Sequence, residues 1–335
     1  MRTRGQCCCN TVIIGAIVAA ASCALCAAKE PLMQATRDWH TGQIVVTEGE
    51  QPVLQYNYLT QQPPEGFVAS VTKGNRRYAR ARSNYIHPLY GPHGEVLTHD
   101  WSKDHPHHRG IYWAWPEVDW RGERADLHAL QRVFARPTGN ITLRNGDTSA
   151  RIEAENRWIW EDETPIVREV ATICVHQSGD HGRYIDLSYR FEALEDDVAL
   201  ARRGTKFYGG LNIRLSPIKD MQLIHYADPV EAVPCRAWSD SVGIRAGGTE
   251  SVGWAVFEKT SNPDYPGDWI EYPYLPWFQP TFPAQGTRYV LKKGTPLVLQ
   301  YRLWIRAGGK ATDAEYAKHW QIFNPMQKSM EEQSQ

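Results

Sequence analysis

The chain has 335 residues, 42% of them hydrophobic, enough to bury a large core and to form one big β domain or two smaller ones. Its 37 basic residues face 38 acidic ones, with no dense Lys/Arg run, which argues against a nucleic-acid partner.

The N-terminus has the plan of an export signal. Arg2 and Arg4 form a short basic region, residues 11–21 are apolar, and Cys26, Ala27 and Ala28 offer small residues for cleavage before Lys29. The apolar run is shorter than the ~20 residues of a membrane-spanning helix. Residues 1–28 are therefore expected to be a signal peptide, with an uncleaved N-terminal anchor as the alternative. The mature protein is expected to be periplasmic or extracellular. Five of the seven cysteines (Cys7, Cys8, Cys9, Cys23 and Cys26) leave with this segment. Cys174 and Cys235 remain, either as one disulfide or as two buried thiols, and two cysteines cannot build a cysteine-based metal site.

Beyond the signal, strand patterns dominate. Residues 43–48 and 51–58 cluster β-branched and apolar side chains, and 66–71 follow a Pro-Pro-Glu turn signal. The pattern returns at 141–144, 150–160, 166–176 and 183–193, with turns at Asn145-Gly146-Asp147 and Ser178-Gly179-Asp180. Within 151–155 and 184–191 the period is two, as in strands with one covered face. Further strands are predicted at 210–215, 251–258, 287–291 and 296–305. Residues 313–323 have helical character, and 324–335 form a polar tail. The prolines of 262–283 predict a long ordered loop over a pocket mouth. Many strands with few helices predict an all-β fold, a large antiparallel sandwich in a single domain over 40–323.

The chemistry concentrates in residues 87–120. Six of the twelve histidines lie between His87 and His108, and four of the thirteen tryptophans between Trp101 and Trp120. Imidazoles bind metals, move protons and hydrogen-bond hydroxyls near neutral pH, and large aromatic faces supply flat apolar contact. His105 and His107 stand two apart, so on a strand they would share a face and, with Asp104 or His87, could hold a metal. Alternatively, Pro106 breaks the strand and the rings bond backbone around a corner. Without a metal, a histidine would act as general acid with a carboxylate opposite as base. Glu169, Asp186, Glu258 and Glu271 are the candidate carboxylates. Arg109 would fix a hydroxyl or carboxylate through its rigid fork, and Trp113, Trp115, Trp269 and Trp277 would stack on a sugar face.

The run Tyr85-Ile86-His87-Pro88-Leu89-Tyr90, residues 94–98, Asp104-His105-Pro106-His107-His108-Arg109-Gly110 and Trp113 resemble the bacterial family of unknown function labelled "methane oxygenase PmoA". Residues 164–169, Ile185-Asp186, Gly204-Thr205-Lys206, Gly209-Gly210, Arg214, Ser261-Asn262-Pro263, Tyr265-Pro266 and Trp269 extend it over about 43–323. An oxygenase subunit of the membrane type would need several spans of ~20 apolar residues, and the sequence after the signal has none. The resemblance implies a β-supersandwich similar to galactose mutarotase. Catalysis then falls to His105, His107, His108 and Glu169. Substrate binding falls to His87, Arg109, Trp113, Asp186, Lys206, Arg214, Asn262 and Trp269. The family's Lys-Glu-Gly-Gly turn is here Lys206-Phe207-Tyr208-Gly209-Gly210, and its Asp-His-Pro before Ser-Asn-Pro is Glu258-Lys259-Thr260, so substrate or activity is expected to be shifted. The expected ligand is a carbohydrate or sugar-derived small molecule, processed by an epimerase, lyase or hydrolase with no cofactor and no metal. A non-catalytic carbohydrate-binding protein and a His-liganded metal oxidase are the alternatives.

Overall fold

Period-two alternation builds the larger half of the structure. Along the strand Ser149–Trp160, Ala150, Ile152, Ala154, Asn156, Trp158 and Trp160 point inward while the residues between them face out. The computed structural model describes residues 30–226, 236–272 and 275–325. The expected signal peptide, Cys235 and most of the polar tail lie outside them. Cys174 is a half-buried free thiol.

Two eight-stranded antiparallel sheets form the architecture. The first runs Met33–Asp38, Gln43–Glu48, Gln51–Asn57, Tyr85–Leu89, Ile111–Ala114, Gly210–Arg214, Trp277–Pro280, Trp269–Tyr272. The second runs Ile218–Tyr226, Trp238–Arg245, Ser251–Glu258, Leu297–Ala307, Arg183–Ala193, Thr164–His176, Ser149–Trp160, Val133–Arg144. A four-stranded sheet of Tyr289–Val290, Ala199–Ala201, Glu117–Trp120 and Glu123–Ala125 accompanies them. The two large sheets share one apolar core. Trp113 stacks on Trp115 at 4.6 Å and meets Tyr189 and Phe191 of the second sheet edge-on at 5.1 Å. Truncating such a buried aromatic to alanine typically costs about 3–5 kcal/mol. Among the described residues no helix is long and apolar enough to cross a membrane.

The all-β sandwich expected from the alternation is present, and Asp313–Phe323 is a helix closed by a capping box between Thr312 and Glu315. Two local expectations are corrected. Residues 66–71 hold the short helix Phe67–Ser70, because Gly66 turns at φ 74° and the Ser70 N–H closes onto the Gly66 carbonyl at 3.1 Å. The proline-rich segment contains the strands Trp269–Tyr272 and Trp277–Pro280, paired from Trp269↔Pro280 to Tyr272↔Trp277. Pro263, Pro266 and Pro276 fall outside these strands and Pro280 at the end of one, so the ladder survives.

The register places the site. Ile111 pairs with Ile213, and Arg214 with Trp277, so the residues just before Ile111 meet Arg214 and Trp277 at one end of the first sheet.

Candidate functional site

The histidine run is not a strand. The His108 N–H donates to the His105 carbonyl at 2.9 Å, closing a turn with Pro106 in its second position, where its fixed φ suits the geometry. His107 and His108 thereby point to the same side, which strand alternation would forbid. Asp104 anchors the turn: its carboxylate accepts from Ser102, from the Arg214 guanidinium at 3.0 Å and from His105 Nδ1 at 3.0 Å. Burial pushes the Asp104 carboxyl up, but the Ser102 and His105 hydrogen bonds and the Arg214 charge outweigh it and hold the group well below the usual carboxylate range. Gly110 ends the turn at φ 64°, where a Cβ would lie 2.1 Å from the Ile86 carbonyl oxygen. Only glycine fits there.

A third imidazole joins from a separate loop. Asp126 and Gln131 close that loop by reciprocal backbone bonds of 2.9 and 2.7 Å, and Arg82 donates to the Leu127 and His128 carbonyls at 3.0 and 2.5 Å. His128 is thus held against the run, with its Nδ1 at 3.0 Å from the Tyr112 hydroxyl. Ring centroids are 4.7 Å apart for His107–His108, 4.5 Å for His107–His128 and 5.3 Å for His108–His128. One ring nitrogen from each lies within 4.8 Å of the others.

Burial, then the neighbouring His105 and arginine charges, push His107 down to about 3. His108 and His128 are driven well below the ordinary histidine value, again chiefly by burial. All three rings are therefore neutral at neutral pH. The Nδ1 atoms of His107 and His108 are buried without a hydrogen-bond partner among the described residues, a state that costs about 1–3 kcal/mol for each such group.

These rings line a cavity of about 330 Å³ together with His105, Asp104, Asn75, Tyr78, Arg203, Tyr208, Tyr272 and Trp277. Tyr272 and Trp277 stack at 5.0 Å and 16° to form a flat wall. Arg203 reaches Asp126 at 2.8 Å. A larger groove of about 670 Å³ runs beside Glu48, Arg183, Trp304 and Arg306. Its charges are already matched, Glu48 by Arg183 and Arg306 by Asp240. The smaller cavity is the better candidate because its polar atoms converge unsatisfied.

Of the residues expected to catalyse, His105, His107 and His108 meet here, whereas Glu169 does not line the cavity. Glu169 lies between the sheets, accepting from Asn84 at 2.8 Å and from Trp158 Nε1 at 2.6 Å. The expected substrate-binding residues are scattered. His87 bonds Thr98 at 2.9 Å, and burial drives it down to about 4. Arg109 is fully buried against Asp100, Tyr85 and the face of Trp101. Trp113 is core. Asp186 sits on the outer face of the second sheet, held by Arg302 at 2.6 Å and His176 at 2.9 Å. Lys206 is exposed outside the lining, and Arg214 lies beneath Asp104. Asn262 bonds the Gln300 backbone at 2.8 and 2.9 Å, and Trp269 donates to the Arg236 carbonyl at 3.0 Å. Of the four tryptophans expected to stack on sugar, Trp277 alone lines this cavity. Among the other candidate carboxylates, Glu258 accepts from the Gly267 N–H at 2.7 Å and Glu271 pairs with Arg236 at 3.1 Å. Phe207, standing where the resembled family has an acid, is 59% exposed.

Sequence reasoning missed His128, Arg203, Tyr208, Tyr272 and Tyr78. His128 stands alone in Ala125-Asp126-Leu127-His128-Ala129 with no metal-ligand spacing, so only the fold brings it to the run.

Residues 43–321 match a family of unknown function, DUF6807, whose description names neither an oxygenase nor a mutarotase. No curated protein matches the chain. A solved 4-alpha-glucanotransferase from Thermococcus litoralis aligns with 82% of this chain at 12% identity and a TM-score of 0.24, and the chain spans 37% of that enzyme's length.

Proposed function

The chain belongs to DUF6807, a family without an assigned function, and from its site we propose that it is an exported protein acting on a carbohydrate or sugar-derived small molecule in the His107–His108–His128 cavity. The observation that carries this reading is the pairing of a flat Tyr272–Trp277 wall with convergent imidazoles and Arg203 in a pocket of about 330 Å³. A sugar ring presents an apolar face to the wall and hydroxyls to the polar side.

The general-acid role expected of the whole histidine run narrows to His105. His107 and His108 are kept neutral by burial and suit binding rather than proton donation. His105 stands at the cavity with its Nδ1 on Asp104 at 3.0 Å, which leaves Nε2 for proton transfer. Asp104 orients this ring and does not replace it as base. The reaction is then a proton-shuttling one on the sugar, an epimerisation, elimination or hydrolysis.

A carbohydrate-array screen followed by product analysis tests the reading. Tyr272→Ala should weaken binding of the captured sugar about 10-fold by removing half of the wall while its neighbours hold the fold. Capture without any product would make this a carbohydrate-binding protein, the reading that exposed Phe207 favours. Failure of every sugar to bind would remove the substrate class. Export is checked by N-terminal sequencing of the protein from its native host. A start near Lys29 in a periplasmic or extracellular fraction is expected, and an intact Met1 in the cytosol would reject it.

A further inference from the structure

We propose that His107, His108 and His128 bind a divalent first-row transition-metal ion, leaving a coordination position open to the cavity. The inference departs from the expectation of no metal. It rests on the reading above only for what occupies the open position.

The donor set is the first argument. Three imidazoles without a thiolate suit zinc, copper, iron or nickel, and three histidines with one open position is a common plan for a reactive zinc site. Spacing is the second. Metal–nitrogen bonds of about 2.0–2.1 Å in a tetrahedron place the nitrogens about 3.3 Å apart. The nitrogens already lie within 4.8 Å of one another, so small ring rotations close the set.

Orphaned atoms are the third argument. A purely structural histidine cluster pairs its buried nitrogens, yet the Nδ1 atoms of His107 and His108 lack partners among the described residues. The fourth is the outer support. Tyr112 holds His128 Nδ1 at 3.0 Å, fixing ring orientation and leaving Nε2 to ligate, as groups behind metal-binding histidines usually do. The nearby positive charges of Arg203 and Arg214 are offset by Asp126 and Asp104. Because Asp104 is engaged in that way, it is not counted as a ligand.

The test uses the full chain, stripped with EDTA and dialysed, then titrated with Zn²⁺ by calorimetry and with Co²⁺ by visible absorption. One equivalent should bind, and Co²⁺ should develop the d–d bands of a nitrogen-ligated low-symmetry site. His107→Asn and His128→Asn should each weaken Zn²⁺ binding at least ~100-fold, beyond the loss expected for an outer-shell partner. Tyr112→Phe keeps the ring stack and should weaken binding by roughly 10-fold, which covers the case of histidine variants that fold poorly. His93→Asn should bind Zn²⁺ as the wild type does, since its ring pairs with Glu250 at 3.1 Å outside the cavity. Wild-type protein that takes up no Zn²⁺, or loses it equally with His93→Asn, overturns the proposal. A sugar array run on stripped and Zn²⁺-loaded protein separates the two ideas. Zn²⁺ uptake with no sugar bound removes the carbohydrate reading alone, and sugar bound by protein that takes no Zn²⁺ removes the metal alone.

Discussion

Replacing Arg109 with alanine should cost about 3–5 kcal/mol of folding stability, measured by chemical denaturation, because it strands a buried carboxylate. The Arg109 side chain is fully buried and that of Asp100 is 9% exposed. The guanidinium binds both Asp100 oxygens and the Tyr85 hydroxyl while lying 3.5 Å over the Trp101 ring. Removing the cation leaves Asp100 in a site that cannot solvate it. A double variant, Arg109→Met with Asp100→Leu, should recover most of the loss, since a buried ion pair is often no better than apolar packing. If Arg109→Ala is nearly neutral, the pair is not buried as described. Arg109 directly follows His108, so the single variant should also disorder the histidine turn.

The second large effect is a pH dependence. Glu169 is buried, and burial raises its carboxyl to about 7 against the hydrogen bonds from Asn84 and Trp158, which lower it without compensating. A group whose folded value is raised gives stability that is complete below its unfolded value of 4.5 and is lost as the pH climbs through about 7. At about 1.4 kcal/mol per unit, this single carboxyl removes about 3 kcal/mol between pH 4.5 and 8. Glu258, raised to about 8 by burial, acts with the same sign. Glu169→Gln should therefore flatten its share of the slope. Its stability at pH 5 should fall below wild type by about 1–3 kcal/mol, because an amide NH₂ cannot accept from Trp158 or Asn84. Equal slopes for the two proteins would mean that Glu169 is ionised and solvated in the fold.

How much of this was legible follows from where the information lies. Strands such as Ser149–Trp160 and Arg183–Ala193 show themselves because each carries its own alternation. Glu169 entered the expected site through the resemblance and not through the alternation. It shares the inward face with Val167, Ala171 and Ile173, and a sequence does not distinguish an acid held by a tryptophan from one held for a substrate. Asp186 is the converse, an outward residue whose partner Arg302 comes from the neighbouring strand. The histidine run was visible because it is contiguous in the chain. Its geometry was not, because a turn at Pro106 puts adjacent rings together where a strand would alternate them. His128, Arg203 and Tyr272 are contributed by three separate segments, and pairing of Ile111–Ala114 with Gly210–Arg214 and of that strand with Trp277–Pro280 helps bring the cavity's parts together.

The most direct measurement is crystallographic. Crystals of Zn²⁺-loaded protein, with data recorded on both sides of the zinc absorption edge, should show an anomalous peak at about 2.0–2.1 Å from one nitrogen each of His107, His108 and His128. No anomalous density among these three rings, with zinc bound elsewhere on the molecule, would contradict their assignment as the functional centre.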